Sequence, residues 1–224
     1  MKTLLKGISL TGNQLKIIAL IAMTIDHIGY ILFPGAMIFR YIGRLAMPIF
    51  AWMIAEGCQY TKNRTRYFLT LFGFAFVTQV VYLIFRHDLY QSVLTTFSMS
   101  VLLIYALDYA KLKKNFLSLC LMGAAFLGVC YICVFLPEDL KGIGFSIDYG
   151  VWGVMLPVAI YIAKTKEEKL LAAAGVLAML AIKAGFWQWF SLLSLALIAL
   201  YNGQRGKAKL KYLFYIYFPL YQIL

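Results

Sequence analysis

The sequence predicts an all-α protein, a polytopic bundle of transmembrane helices, on three observations. Hydrophobic residues fill 63% of the 224 positions and charged residues only 13%. A soluble domain runs near half apolar and a quarter charged. The mean hydropathy is +0.81. The apolar residues also form long runs, separated by short clusters of basic residues and turn formers. At ~20 residues per span, there is room for about nine spans in a single integral membrane domain, 1–224, and for no separate soluble domain.

Nine segments follow in order. The first, 15–33, stops at Pro34-Gly35. A basic N-terminus before an apolar run has the outline of a signal peptide, but this run is too long, lacks a small-residue cleavage site and contains Asp26-His27. It reads as a retained first helix. The second, 36–57, carries Arg40, Arg44 and Glu56. The third, 67–85, ends at Arg86-His87-Asp88, and the fourth, 92–109, carries Thr95, Thr96, Ser98 and Ser100. The fifth, 116–136, stops at Pro137-Glu138-Asp139. The sixth, 149–163, follows Asp148, and the seventh, 169–183, follows Lys164, Lys166 and Lys169. The eighth, 186–201, opens on Trp187 and Trp189, which fit an interfacial aromatic belt. The ninth is 210–224.

Along this alternating path, 16 of the 21 Lys and Arg fall on one side. They lie before the first span and in the loops around Lys62–Arg66, Lys111–Lys114, Lys164–Lys169 and Arg205–Lys211. The positive-inside rule makes that side cytoplasmic, with the N-terminus inside and the C-terminus outside. The formal charge of +12 then needs no nucleic acid as partner. Contact with anionic headgroups of the bilayer is sufficient. Cys130 and Cys133 have C-x-x-C spacing, but no second Cys/His pair completes a metal site, and they read as two small residues one turn apart.

Four ionisable residues stand at membrane depth, where charge is expensive and marks a functional site. Asp26 and His27 lie ~9–10 Å below the outer end of the first helix, and Arg40 and Arg44 ~6–12 Å below that of the second, at 1.5 Å per residue. Arg40 and Arg44 are i and i+4, on one face. The tight Pro34-Gly35 turn makes the two helices neighbours, so an Asp26–arginine pair is expected. Asp26 and His27 point about 100° apart, which argues against a direct catalytic hydrogen bond between them. His27 reads as a general base, proton relay or nucleophile, or as a hydrogen-bonded packing residue.

Other residues keep two readings. Asp148, with Tyr149, either joins this outer site or caps the sixth helix. His87 reads as an interfacial residue, and the Thr95–Ser100 run as helix-packing groups or a cavity lining. Lys16 precedes His27 by eleven residues, ~16 Å along a helix. It either snorkels to headgroups or holds a phosphate. Glu56 either pairs with Lys62 or Arg64 or belongs to a ligand site at that end. The chain shows no internal repeat of the kind many transporters carry.

Several of these residues also carry a resemblance. Leu10-Thr-Gly-Asn-Gln-Leu-Lys16, Asp26-His27-Ile-Gly29, Arg40-Tyr-Ile-Gly-Arg44-Leu-Ala-Met-Pro48, Glu56-Gly57, Asp148-Tyr149-Gly150 with Gly153, and Tyr201-Asn202-Gly203 with Arg205-Gly206 together resemble the TraX family across nearly the whole chain. The resemblance implies a multi-pass protein of the bacterial cytoplasmic (inner) membrane. The family's namesake acetylates the N-terminus of conjugative pilin, and wider transmembrane acyltransferases share a basic residue, ten residues, then His, as in Lys16-x10-His27.

The resemblance thus implies acetyl-CoA as co-substrate and His27 as the catalytic residue; the reading of the residues themselves adds Asp26 beside His27, Arg40, Arg44, Asp148 and Tyr149 at the acceptor, and no metal. Lys16, Glu56 and Arg64 would serve the acyl-CoA side. The acceptor would be an envelope protein, peptide or glycan. One departure stands out. The family tends to end in Tyr-Pro-x-His, whereas this chain reads Phe218-Pro219-Leu220-Tyr221, so either Tyr221 substitutes or the activity differs. A transporter or flippase using the same buried charges, and a scaffold in a secretion or pilus assembly, are the competing readings.

Overall fold

The structure, a computed structural model, describes residues 9–87, 89–207 and 217, with Arg86 as backbone only. Within these residues it is helical almost throughout. Five helices are long and apolar enough to cross a membrane, namely Gly12–Leu32, Met37–Tyr60 with a break, Arg64–Phe85, Val93–Lys113 and Phe116–Asp139 with a wide turn. A 21-residue helix is ~31 Å long, the thickness of a bilayer's hydrocarbon core. The protein is a multi-pass, all-α membrane protein.

The first helix, α1 (Gly12–Leu32), starts on a capping box in which Thr11 and Gln14 bond each other's backbone. The second segment is not one helix but two, α2 (Met37–Gly43) and α3 (Ala46–Tyr60). Pro48 has no N–H to give and its ring crowds the carbonyl four residues back, so the α-helix cannot run through Arg44. α4 (Arg64–Arg86) is capped by Asn63 and ends on His87 in the left-handed region. A two-residue strand, β1 (Tyr90–Gln91), precedes α5 (Val93–Lys113), the most buried of the long helices.

α6 (Phe116–Cys130) widens into a π-helical turn, Tyr131–Phe135, before the single turn of α7 (Leu136–Asp139). Pro137 explains the widening, since it removes the donor to the Cys133 carbonyl. β2 (Ser146–Ile147) pairs in parallel with β1, Tyr90 against Ser146 and Gln91 against Ile147. α8 (Gly150–Ile162) and α9 (Lys166–Ala184) follow, the latter on a second capping box, Thr165 with Glu168. The eighth segment is a 3-10 stretch, Phe186–Leu193, running into α10 (Ser194–Ala199). At ~2.0 Å per residue the 3-10 stretch lengthens a 14-residue segment from ~21 to ~25 Å.

Eight of the nine predicted segments are therefore helical. α8 and the 186–199 segment are too short to span by length alone, and α9 opens on four charged residues. The ninth segment, with Phe218-Pro219-Leu220-Tyr221, lies outside the described residues except Tyr217, whose hydroxyl is hydrogen-bonded to that of Thr24. Lys2, Lys6 and Asp88 also lie outside them.

Contacts define two ends. At one, Leu10 bridges to Tyr201, Lys169 bonds Gln59 and Arg64 pairs with Asp108. At the other, β1 meets β2, Phe33 stacks on Phe39, and Tyr41 stacks on Phe190 at 4.1 Å between ring centres. Between them lies a core around Leu15, Ile49, Trp52, Phe97, Ile104 and Leu156. α4 and α6 turn Phe72, Phe76, Leu119, Leu121 and Leu127 outward, as hydrocarbon permits.

Candidate functional site

Two cavities lie along one seam of α1, α3 and α5. The first, about 440 Å³, holds Asp26, His27, Arg40, Arg44, Asp148 and Tyr149 together. Four helices and the β1–β2 pair bring them there. α1 and α2 approach closely because two glycines allow it. A side chain at Gly43 would overlap Asp26, and one at Gly29 would overlap Phe39. The result is the expected ion pair, Arg40 Nη1 to Asp26 Oδ2 at 3.2 Å. Asp26 Oδ1 and Arg44 Nε are buried with no hydrogen-bond partner among the described residues. Arg44 sits in the break between α2 and α3 and has no carboxylate within ion-pair distance among those residues.

Asp148 and Tyr149 reach this cavity through loop geometry. The Asp148 amide donates to Gln91 O at 3.0 Å, continuing the parallel pair. Thr96 Oγ1 donates to Asp148 O at 2.7 Å. Tyr149 then takes φ +60°, rare for a bulky residue, and Gly150 follows at φ +52°. Gly153 leaves the space this needs, since a side chain there would overlap Tyr149 and crowd Thr96. The position capping α8 is Tyr149, and its side chain caps nothing. The Asp148 carboxylate instead accepts from the Tyr90 hydroxyl. Burial raises the Asp148 carboxyl to about 6, while the Tyr90 hydrogen bond and the nearby Arg44 charge pull it down. Burial and the Asp148 charge both raise the Tyr90 hydroxyl.

Sequence reasoning missed Tyr82, Tyr90 and Ser92 in this lining. Tyr90 is placed by the strand pair and stands by Tyr82, 5.8 Å between ring centres. The Thr95–Ser100 run mostly packs. Ser98 bonds back to Leu94 O at 2.8 Å, and Ser100 crosses to Val154 O at 2.8 Å. His87 is exposed and lines neither cavity.

The second cavity, about 520 Å³, lies at the other end of the same seam. Its polar wall carries Asn13, Lys16, Glu56, Tyr201 and Arg205, and its apolar wall Met53, Ile54, Leu71, Leu94 and Phe97. Glu56 accepts from the Tyr201 hydroxyl at 2.5 Å, not from Lys62 or Arg64. Arg64 stands apart from this cavity, paired with Asp108 at 2.6 Å and lying over Tyr105. The Tyr201–Gly206 segment clasps the start of α1. Gly12 N donates to Gln204 O at 2.8 Å and Asn13 N to Arg205 O at 3.0 Å. Thr11 N and Gln14 N are used by the capping box. A helix N-terminus is a ready anion site only when its N–H groups are open. Here an anion would have to be held by side chains, namely Lys16, Arg205 and Asn13.

Among the described residues, Phe50 alone lines both cavities. It belongs to a stripe of α3 at helical spacing, with Ala46 and Met47 toward His27 and Met53, Ile54 and Gly57 toward Lys16. That i, i+3, i+4, i+7 pattern is the signal in the sequence that could have revealed it.

The family model described as TraX protein matches residues 11–224. An uncharacterized protein of Rickettsia prowazekii is 29% identical over 158 residues, covering 70% of this chain and 58% of that protein. A probable fimbrial assembly protein of Dichelobacter nodosus is 32% identical over 81 residues, covering 34% of this chain and 33% of that protein. The chain thus spans 58% or less of the length of the curated relatives it matches. No solved structure matches.

Proposed function

The chain belongs to the TraX family, and on that premise we propose that it is an integral membrane acyltransferase of the bacterial inner membrane. It moves acetyl from cytoplasmic acetyl-CoA to an amine or hydroxyl acceptor at the outer face. The observation that carries this reading is the placement of Lys16 and His27 in two cavities on either side of one aromatic side chain. In this reading the Lys16 end faces the cytoplasm, in keeping with the basic loops gathered there.

The Lys16 cavity has a polar mouth, an apolar depth and a volume within the range of ligand pockets. That suits a ligand with a phosphate head and an amide-linked tail. Lys16 and Arg205 supply the cations for the phosphates, and the apolar wall receives the tail. Bound acetyl-CoA supplies an acetyl thioester. His27 takes the proton from the acceptor nitrogen or oxygen as it attacks the thioester carbonyl. Arg44, lacking a carboxylate partner among the described residues, stabilises the oxyanion or holds an anionic acceptor. Asp26 keeps Arg40 neutralised and in place. Asp148 and Tyr149 orient the acceptor, which we take to be an envelope protein, peptide or glycan. The fimbrial name of the Dichelobacter nodosus relative fits a surface-filament protein as one such acceptor.

The test uses radiolabelled acetyl-CoA added to inverted membrane vesicles. His27→Ala is expected to insert normally and to lose label incorporation into envelope material. Retained incorporation overturns the mechanism. A transporter built on the same buried charges predicts no binding of CoA at the Lys16 end.

A further inference from the structure

We propose that the N-terminus of α5, with Ser92 and Arg44, is a seat for an anionic group, a carboxylate or a phosphate, on the molecule that enters the outer cavity. The inference goes beyond the acyltransferase reading, since such a group would be held there whether the molecule is acylated or carried across.

Two observations carry it. The first is the helix end. α5 is 21 residues long, and it begins in the wall of the cavity that also holds Arg40 and Arg44, with Ser92 and Val93 in that wall. The Thr95 amide turns back onto Ser92 O at 2.9 Å, and the Thr96 amide reaches it at 3.4 Å. Among the described residues no acceptor meets the Val93 and Leu94 amides. Gln91, the neighbouring polar side chain, donates to Leu89 O and accepts from Thr95 Oγ1 instead. The partial positive charge of a helix N-terminus and two unused N–H groups favour an anion.

The second is the Ser92 side chain. Serine at this position ordinarily caps its helix by accepting from an amide two or three residues on. Ser92 makes no such bond, although its backbone, at φ −65° and ψ 164°, is that of an ordinary cap. It is 2% exposed and lines the cavity, and its hydroxyl has no hydrogen-bond partner among the described residues. A buried hydroxyl left unpaired is costly, and a ligand oxygen removes that cost. Arg44 Nε, in the same wall, is likewise buried without a partner there. Each of these groups can donate to an oxyanion. The carboxylates of the cavity are already engaged, Asp26 by Arg40 and Asp148 by Tyr90. On the acyltransferase reading, the acceptor therefore carries an oxyanion group besides the amine or hydroxyl that meets His27.

The test needs neither CoA nor an acceptor. Purified protein in neutral detergent is titrated with sodium acetate or with methyl phosphate, against sodium chloride at matched ionic strength. Scanning fluorimetry follows the melting temperature, which a ligand bound only to the folded protein raises. The wild type is expected to show a saturable rise, and the anion that gives it at the lower concentration identifies the group. Ser92→Ala and Val93→Pro are each expected to raise the half-saturating concentration about tenfold, the loss of one hydrogen bond to a charged group. Proline fits the first position of a helix and takes away its amide. Where Val93→Pro does not fold, Ser92→Ala carries the test. Repeating the titration in phosphatidylglycerol nanodiscs separates two sources. A lipid headgroup in the seat abolishes the wild-type rise, a soluble molecule's group leaves it, and both uphold the seat.

A rise that is the same in the wild type and both variants comes from elsewhere, such as the Lys16 end, and overturns the inference. So does a melting temperature of Ser92→Ala below the wild type's without added anion, since the hydroxyl would then be a helix cap. No saturable rise in the wild type with either anion also overturns it, and leaves the acyltransferase reading standing.

Discussion

Asp148 shows how much one residue's surroundings decide. Its carboxylate is buried beside Tyr90 and Arg44, and its proton is held up to about pH 6. Between the usual carboxylate range and pH 6 the folded protein keeps a proton that the unfolded chain has lost. Stability contributed by this group is therefore full at acid pH and falls as pH rises through about 6. Asp148→Asn cannot ionise, so its melting temperature should exceed the wild type's at pH 8 and match it near pH 4, as scanning fluorimetry in detergent would register. A wild type favoured at pH 8 would mean that Arg44 and Tyr90 outweigh burial.

At this scale the sequence pointed to a pair between Asp26 and an arginine, because depth along two adjacent helices is simple arithmetic, and the structure selects Arg40. It left Asp148 between a cap and a site. The cap reading falls, because Tyr149 holds the cap position and the Asp148 carboxylate accepts from the Tyr90 hydroxyl, brought in by a strand pair too short to leave a periodic signal.

Among the elements, α1 and α2 depend on the absence of two side chains. Gly43→Ala pushes a methyl group into Asp26 where α2 meets α1. Relief requires either the helices to part or Asp26 to turn from Arg40. The expected cost is about 1–3 kcal/mol, together with weakened activity, and a melting temperature equal to the wild type's would contradict the close packing.

Helix existence was legible nearly everywhere, since apolar runs of this length leave few alternatives in a membrane. Interruptions were not. Pro48 and Pro137 stand in plain view inside apolar runs, but hydropathy treats them as ordinary members of a span. The structure turns one into a break that frees Arg44 and the other into a wide turn above the core. The 3-10 stretch at 186–193 had no readable signal, because its length follows from what the short segment must reach.

For the whole molecule, the arrangement of two cavities fixes what orientation means. Lys62 lies exposed beyond α3 at the Lys16 end, and Ile143 lies exposed near β2 at the opposite end. With the four native cysteines changed to serine, Lys62→Cys and Ile143→Cys report the sides through a membrane-impermeant thiol reagent. Spheroplasts should label Ile143→Cys while intact and Lys62→Cys only after lysis. The reverse pattern would put the Lys16 cavity outside, away from cytoplasmic acyl-CoA.

The bonds from Gly12 and Asn13 to the carbonyls of Gln204 and Arg205 have a consequence in time. α1 is made first, yet its opening turn is completed by residues made about 190 positions later. At about 5–20 residues per second, the ribosome needs roughly 10–40 s to supply them. Through that interval the first helix sits in the bilayer with the Gly12 and Asn13 amides bound only to water or headgroups, while Thr11 and Gln14 keep their capping box. The cavity around Lys16 takes shape only when the late segment, with Tyr201, Gly203 and Arg205, folds back over it, so a chain halted partway carries His27 and its arginines beside an unfinished cavity. On the acyltransferase reading, the order of synthesis itself keeps an incomplete copy silent.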